Sequence, residues 1–196
     1  MKITVLGTGN AGSSIAKRAV DCGHTVSSFN SKASGSDVAS SVSASDLTVL
    51  TIPFGNVGAI APEVREALSG GILVDATNPL SADFTDLTIG FTDSAAEVVS
   101  RTLPGSRVVK AFNAVLAPNH DPSAFGEQLM VPVAGDDSDA KKTVINFVGS
   151  LGFDAVDAGA LKNARYLEPL AELMVQLAYV QGEGNGIGLT LARRPV

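Results

Sequence analysis

The residues whose types and spacing most clearly point to chemistry lie near the start of the chain. Gly7-Thr8-Gly9-Asn10-Ala11-Gly12 has G-x-G-x-x-G spacing, between the apolar run Lys2–Leu6 and a segment of helical length, Ala11–Cys22. That context matters more than the glycines alone, because the motif works only where a strand ends and a helix begins. Gly7 permits the tight turn, Gly9 removes a side chain that would block a pyrophosphate, and Gly12 lets helix and strand approach closely. The backbone N–H groups of Asn10 and Ala11 would then face phosphate, with the positive end of the helix behind them. The chemistry implied is capture of a dinucleotide diphosphate. The plain alternative is a glycine turn that binds nothing.

The next strand selects between nicotinamide dinucleotides. A site for NAD usually has Asp or Glu at this strand's end, about 20 residues on, to bind the ribose diol. Here the segment reads Phe29-Asn30-Ser31-Lys32, with no carboxylate to repel a 2′-phosphate. Asn30 and Ser31 can donate hydrogen bonds to such a group, and Lys32 supplies positive charge. NADP(H) is therefore the expected cofactor. Three further strand ends should meet the same rim: Ile52-Pro53-Phe54, Thr77-Asn78-Pro79 and Ala111-Phe112-Asn113. Pro53 and Pro79 fix the backbone just after their strands. Asn78 and Asn113 offer uncharged donors and acceptors for a carboxamide or a planar acceptor. Phe112 could equally be an ordinary core residue, and Asn78 an ordinary turn residue.

The elements that must position these residues alternate. Lys2–Leu6 and His24–Asn30 read as strands, and the compact apolar runs Leu47–Ile52, Gly71–Ala76 and Ser106–Ala111 as parallel strands buried on both faces. Asn56–Leu68 and Ser94–Leu103 have helical length, the first disturbed or restarted at Pro62. Ala33–Ser45 is rich in Ser, Ala and Gly, so one or two helical turns are expected there and not a full crossover helix. Met130–Ala134 and Phe153–Asp157 read as later strands, with a helix at Ser138–Leu151 capped by Asp136, Asp137 or Ser138. A long helix from Leu161 to Tyr179 has Leu167, Leu170, Leu173, Met174, Leu177 and Ala178 on one side, which could cover the sheet or form a dimer seam. The glycine-rich stretch Gln181–Leu189 reads either as a flexible tail or as a close turn leading into an edge strand, Leu189–Ala192. The order predicts an α/β, Rossmann-type, doubly wound and mainly parallel sheet, with helices on both faces. Residues 1–196 make one domain.

Composition narrows the function classes. The chain has 196 residues, 45% of them hydrophobic, and a net charge of −6. One substantial core can be buried, and a nucleic-acid reader's basic face is missing. No apolar run approaches a membrane span or a signal peptide, and one cysteine, Cys22, fits a reducing compartment; the cytoplasm is the expected location. His24 reads as structural, away from the rim. His120 could reach it. Lys110 and Asn113 have the spacing of a Lys-plus-Asn pair, but Lys110 sits within a strand beside outward residues and is not assigned to catalysis. No cluster of His, Cys and carboxylate has metal-ligand spacing.

The chain resembles the NADP-dependent oxidoreductases that use the deazaflavin coenzyme F420. It is also similar to the cytosolic reductase domain of the six-transmembrane metalloreductases. The resemblance is carried by VLGTGNAG, TIPF, VDATNP, SAAEVV, VVKAFN, VPVAGDD, DAGALKNARYLEPLAELM and the ending GNGIGL. It implies an enzyme with NADP in the glycine-loop cleft, commonly a homodimer, with F420 or a flavin as co-substrate against the nicotinamide. By the family pattern Thr8, Asn10, Ser31 and Lys32 correspond to NADP contacts, and Pro53, Phe54, Asn78 and Asn113 to the nicotinamide and acceptor side. The chain departs from the pattern in the short segment after Lys32 and in Asn30, where relatives often have a small residue. The acceptor stays open among deazaflavin, flavin and ferric chelate. Two other readings stay open too: a non-catalytic NADP sensor, and a short enzyme like the hydroxyacid dehydrogenases or pyrroline-carboxylate reductases.

Overall fold

The computed structural model describes residues 1–194. Its organising element is a seven-stranded sheet made of β1 (Lys2–Leu6), β2 (Thr25–Phe29), β3 (Leu47–Leu50), β4 (Ile72–Asp75), β5 (Arg107–Lys110), β6 (Met130–Gly135) and β7 (Asp154–Asp157). The spatial order is β2-β1-β3-β4-β5-β6-β7. Neighbours pair in parallel except at β5–β6, where the direction reverses. The chain winds outward from β1 in both directions, so β1 and β3 flank the switch point, where ligands bind in open α/β sheets.

Among the described residues six α-helices cover the sheet: α1 (Asn10–Asp21), α2 (Gly35–Ser43), α3 (Pro62–Leu68), α4 (Ala95–Thr102), α5 (Ser138–Ser150) and α6 (Ala164–Val175). Alternate strand residues feed the two sides. Val49, Val74 and Val109 join Ile15, Val144 and Phe147 in one core. Leu50, Leu73 and Val108 join Val38, Val42, Val64 and Val99 in the other. Side chains alternate across a strand, and in inner strands such as β3 and β4 both faces are dry, which is why those strands read as continuous apolar runs. Asp137 is the residue that caps α5, accepting from the Ala140 N–H at 2.8 Å. Pro62 begins α3 after a 3-10 segment, Phe54–Ala59, at a position where its missing N–H costs nothing.

Two expectations need correction, and the long C-terminal helix is borne out with added detail. The segment after Lys32 forms α2, a nine-residue helix, where only one or two turns were expected. Its serines weaken helix propensity, but Val38 and Val42 are buried one turn apart, and Ser41 Oγ bonds Thr4 Oγ1 of β1 at 2.7 Å. Tertiary contacts override local preference. The long C-terminal helix is present, but it begins with a 3-10 turn at Leu161–Asn163 and finishes as a π-helical turn at Gln176–Val180. The ending is neither free nor a strand. Asn119 Nδ2 donates to the carbonyls of Asn185 and Ile187 at 2.8 Å each, and the Met130 N–H donates to Leu189 O. Among the described residues no helix is long and apolar enough to cross a membrane.

His24 is structural as expected, bonding the N-terminal amine and Ser150. His120 does not reach the rim. It is 1% exposed, packs against Phe112, and has Nδ1 at 3.1 Å from Ala117 O. Burial pushes its imidazole down to about 4. The unfolded chain, with a histidine near 6.5, binds more protons between these values, so stability falls as pH drops through that window and loses nothing more to this group below it. The expected loss is about 3 kcal/mol from one buried imidazole. Urea unfolding at pH 7 and pH 4 should show this extra acid sensitivity in the wild type and not in His120→Leu.

Candidate functional site

Where β1 ends, the chain makes a turn that only glycine fits. Gly7 has φ +114°, and its N–H donates to Phe29 O at 2.8 Å. A side chain there would meet Thr51 Oγ1 at 2.6 Å. Thr51, at the end of β3, in turn donates toward the Leu6 and Gly7 carbonyls at 3.1 Å each. A Cβ on Gly12 would overlap the Gly7 carbonyl oxygen. Gly7 and Gly12 are thus demanded by the fold itself.

Gly9 is different. Its backbone is extended (φ −69°, ψ −175°), a conformation open to any residue, and an added Cβ would meet no atom of the chain within 4 Å. Nothing in the protein fills the space where a side chain would stand. Gly9 sits at the N-cap of α1 without a side-chain cap, and the first turn holds no acidic residue. The Ser13 N–H reaches Gly9 O, so the amides before it have no intrahelical acceptor. Open space, free N–H groups and a helix's positive end fit a diphosphate.

This corner opens a cleft of about 1330 Å³. Gly7, Thr8, Gly9, Ala11, Asn30, Ser31, Ile52, Pro53, Phe54, Thr77 and Asn78 all line it. Asn10 and Gly12 lie in the first turn of α1 behind that surface. Lys32 is exposed beside the rim, its N–H donating to Asn30 Oδ1 at 2.9 Å. Pro79, Ala111, Phe112 and Asn113 do not line the cleft. Ala111 and Phe112 turn into the core, where Phe112 meets Phe147 and Phe153 edge-on. Asn113 stands behind Asn78: each amide nitrogen donates to the other residue, at 2.9 and 3.0 Å, and Asn113 Nδ2 also reaches Leu167 O. It acts on the wall through its neighbour.

Sequence reasoning missed several lining residues, among them Phe29, Thr51, Asn56, Leu80, Ala82, Phe84 and Thr88. It also misplaced Lys110. That side chain is wholly buried, with Nζ at 2.9 Å from Asp75 Oδ2, 2.9 Å from Glu168 Oε1 and 2.5 Å from Thr77 O. Asp75 Oδ1 accepts the Thr77 N–H, so both peptide groups of Thr77 are held as the chain enters the cleft. Glu168 also accepts the Ala95 and Ala96 N–H groups at the start of α4. Beside it Arg165 forms a two-pronged pair with Glu97 at 2.8 and 2.6 Å. The Arg165 guanidinium, aided by the Ser94 hydroxyl, holds the Glu97 carboxyl below the usual range. Asp75, Lys110 and Glu168 lie in three distant stretches, so only their joint presence could have signalled the cluster.

Two measurements follow from this geometry. Gly12→Ala should cost about 1–3 kcal/mol by overpacking, lowering Tm by several degrees, whereas Gly9→Ala should leave Tm unchanged and weaken NADP binding more than tenfold in calorimetry. Lys110→Met, which strands two buried carboxylates, should cost about 3–5 kcal/mol, read as a lower denaturation midpoint.

No protein-family model matches the chain. The F420-dependent NADP reductase of Methanocaldococcus jannaschii is 30% identical over 155 residues, which span 74% of this chain and 68% of that protein. Metalloreductase STEAP3 of Rattus norvegicus is 27% identical over 180 residues, 86% of this chain and 36% of its own length. A crystal structure from Arthrobacter sp. FB24, provisionally described as an F420-dependent NADP reductase, superposes with a TM-score of 0.85 at 29% identity, covering 98% of this chain and all of the other. A shared architecture, a glycine corner and sequence identity over most of both chains lead to one assignment: the protein belongs to the F420-dependent NADP reductase family.

Proposed function

We propose that the protein is an NADP(H)-dependent oxidoreductase that moves hydride between NADP(H) and a second redox compound. The observation that carries this reading is the open corner at Gly9, where space is left at an uncapped helix N-terminus that the fold does not need. The relatives' names supply the reaction class, F420-dependent NADP reduction and metalloreduction; in this reading deazaflavin F420, a flavin or a ferric chelate is the acceptor.

A bound nicotinamide would supply the carbon that gives or takes hydride, two electrons and one proton moving together. The chain's own part is binding, orientation and exclusion of water. Thr8, Gly9 and the amides of Asn10 and Ala11 hold the diphosphate. Asn30 and Ser31 receive the adenosine end, with Lys32 at the rim adding charge toward a 2′-phosphate. Ile52, Pro53, Phe54, Thr77 and Asn78 line the other half, and Asn113 steadies Asn78. Among the described residues no charged side chain lines the cleft, so the ring environment is set by neutral dipoles and apolar surface.

The protein acts as a homodimer in this reading. Tyr166, Leu173 and Val180 recur at seven-residue spacing along the C-terminal helix and stay 74%, 52% and 59% exposed, an apolar seam suited to a second copy. A cytoplasmic location agrees with the single cysteine and with the absence, among the described residues, of a membrane-crossing helix.

Anaerobic oxidation of NADPH by F420, flavin mononucleotide and ferric–EDTA tests the activity, and tight NADPH binding without turnover of any of them would refute it. For cofactor choice, Ser31→Ala/Lys32→Ala should weaken NADPH about tenfold, about 1.4 kcal/mol, while NADH affinity stays constant. Equal losses for the two nucleotides would reject the 2′-phosphate assignment.

A further inference from the structure

One wall of the cleft depends largely on a single side chain outside it. After β3 the chain leaves the sheet through Pro53 and forms the 3-10 segment Phe54–Ala59, and Ile60 and Ala61 then lead into α3. Phe54, Gly55, Asn56, Ala59 and Ile60 line the cleft that opens at the glycine corner. The segment has few means of holding its own shape. Of its six residues only Val57 is buried. Gly55 and Gly58 add backbone freedom, and a Cβ on either would meet nothing within 4 Å. A helical turn also ends in carbonyls that its own N–H groups do not serve.

Arg65, on α3, meets that need. Its Nε donates to Ile60 O at 2.7 Å, and Nη2 donates to Gly58 O and, at 3.4 Å, to Val57 O. Nη1 reaches beyond the segment to Thr102 O at 3.1 Å, at the C-terminal end of α4. All four partners are backbone carbonyls. The planar fork bolts the cleft wall to a helix whose other end is fixed by Glu168. A lysine ammonium has no such fork and cannot span these carbonyls together. Arg65 itself does not line the cleft, so its effect on a ligand passes through the wall.

We infer that Arg65 is a positioning residue for NADP(H), holding the wall from Phe54 to Ile60 in its binding conformation before the cofactor arrives. Ordering a loose, glycine-containing segment at the moment of binding costs affinity. A clamp already set in the free protein removes that cost. The inference rests on the NADP(H)-dependent reading and adds to it a residue behind the cleft that tunes cofactor affinity.

The test applies hydrogen–deuterium exchange over residues 54–61 and calorimetry with NADPH to the full chain. Arg65→Lys and Arg65→Met should each speed exchange there about tenfold in the free protein. Both should raise the NADPH dissociation constant about tenfold, with the loss in the entropy of binding. Adding NADPH should slow the exchange again. Gly58 is not left-handed and does not line the cleft, so alanine there only stiffens the chain. Added to Arg65→Lys, Gly58→Ala should recover about threefold in affinity, and alone it should stay within about twofold of wild type. Wild-type affinity in Arg65→Lys means that positive charge suffices and overturns the inference. Unchanged exchange in the Arg65 variants overturns it, as does faster exchange with unchanged NADPH affinity. Clearly tighter binding by Gly58→Ala alone reveals a wall that is loose in the wild type, and overturns it without any change at Arg65. Each of these failures, in a wild type that oxidises NADPH, leaves the oxidoreductase reading standing. A wild type that takes up no NADPH overturns both.

Discussion

Lys110 places its ammonium at the centre of the molecule, and much of the architecture is arranged to make that tolerable. An isolated buried cation is prohibitively costly, so its partners must be close and well aimed. Asp75, Glu168 and the Thr77 carbonyl take its three donors. Two carboxylates on one ammonium leave an excess of negative charge, which the N–H groups of Ala95 and Ala96 at the positive end of α4 offset. The cluster therefore joins β4, β5, α4 and α6, and it fixes the backbone of Thr77 as it leaves the sheet. Moving any of these elements would unbalance the charge.

The glycine corner is held by a different constraint. Gly7 and Gly12 are required by contact: Thr51 occupies the space beside one, and the carbonyl of the first glycine fills the space beside the other. Gly9 is unconstrained by the chain. The motif thus divides into two residues that build the turn and one that leaves it open. That last position lies open at the uncapped N-terminus of α1.

The sheet was legible because parallel strands buried on both faces read as unbroken apolar runs, as at Leu47–Leu50 and Ile72–Asp75. The glycine corner was legible because its residues are adjacent. Helix α2 was not, since Ser34 to Ser45 argues locally against a helix, and packing against α3 through Val38 and Val42 and the hydroxyl contacts with Thr4 sustain it. The ion cluster was hidden because residues 75, 110 and 168 meet only after folding, and the strand neighbours of Lys110 suggested an outward side chain. Asn113 was drawn to the cleft by its position at a strand end, yet the left-handed turn at Phe112, φ +65°, sends that ring into the core and leaves Asn113 behind Asn78. The wall formed by Leu80–Thr88 has neither helical nor strand periodicity, so its place on the cleft could not be read in advance.

The reversal at β6 has a mechanical consequence. Because β6 and β7 run against the other strands, the chain leaves β7 at the edge far from the glycine corner. The C-terminal helix, which starts beside β5 and β6, carries Glu168 to α4, and the turn that follows it brings Gln176 to the Phe84 carbonyl. It serves as a strut between the buried ion cluster and the loop that holds Phe84, so the position of one fixes the position of the other.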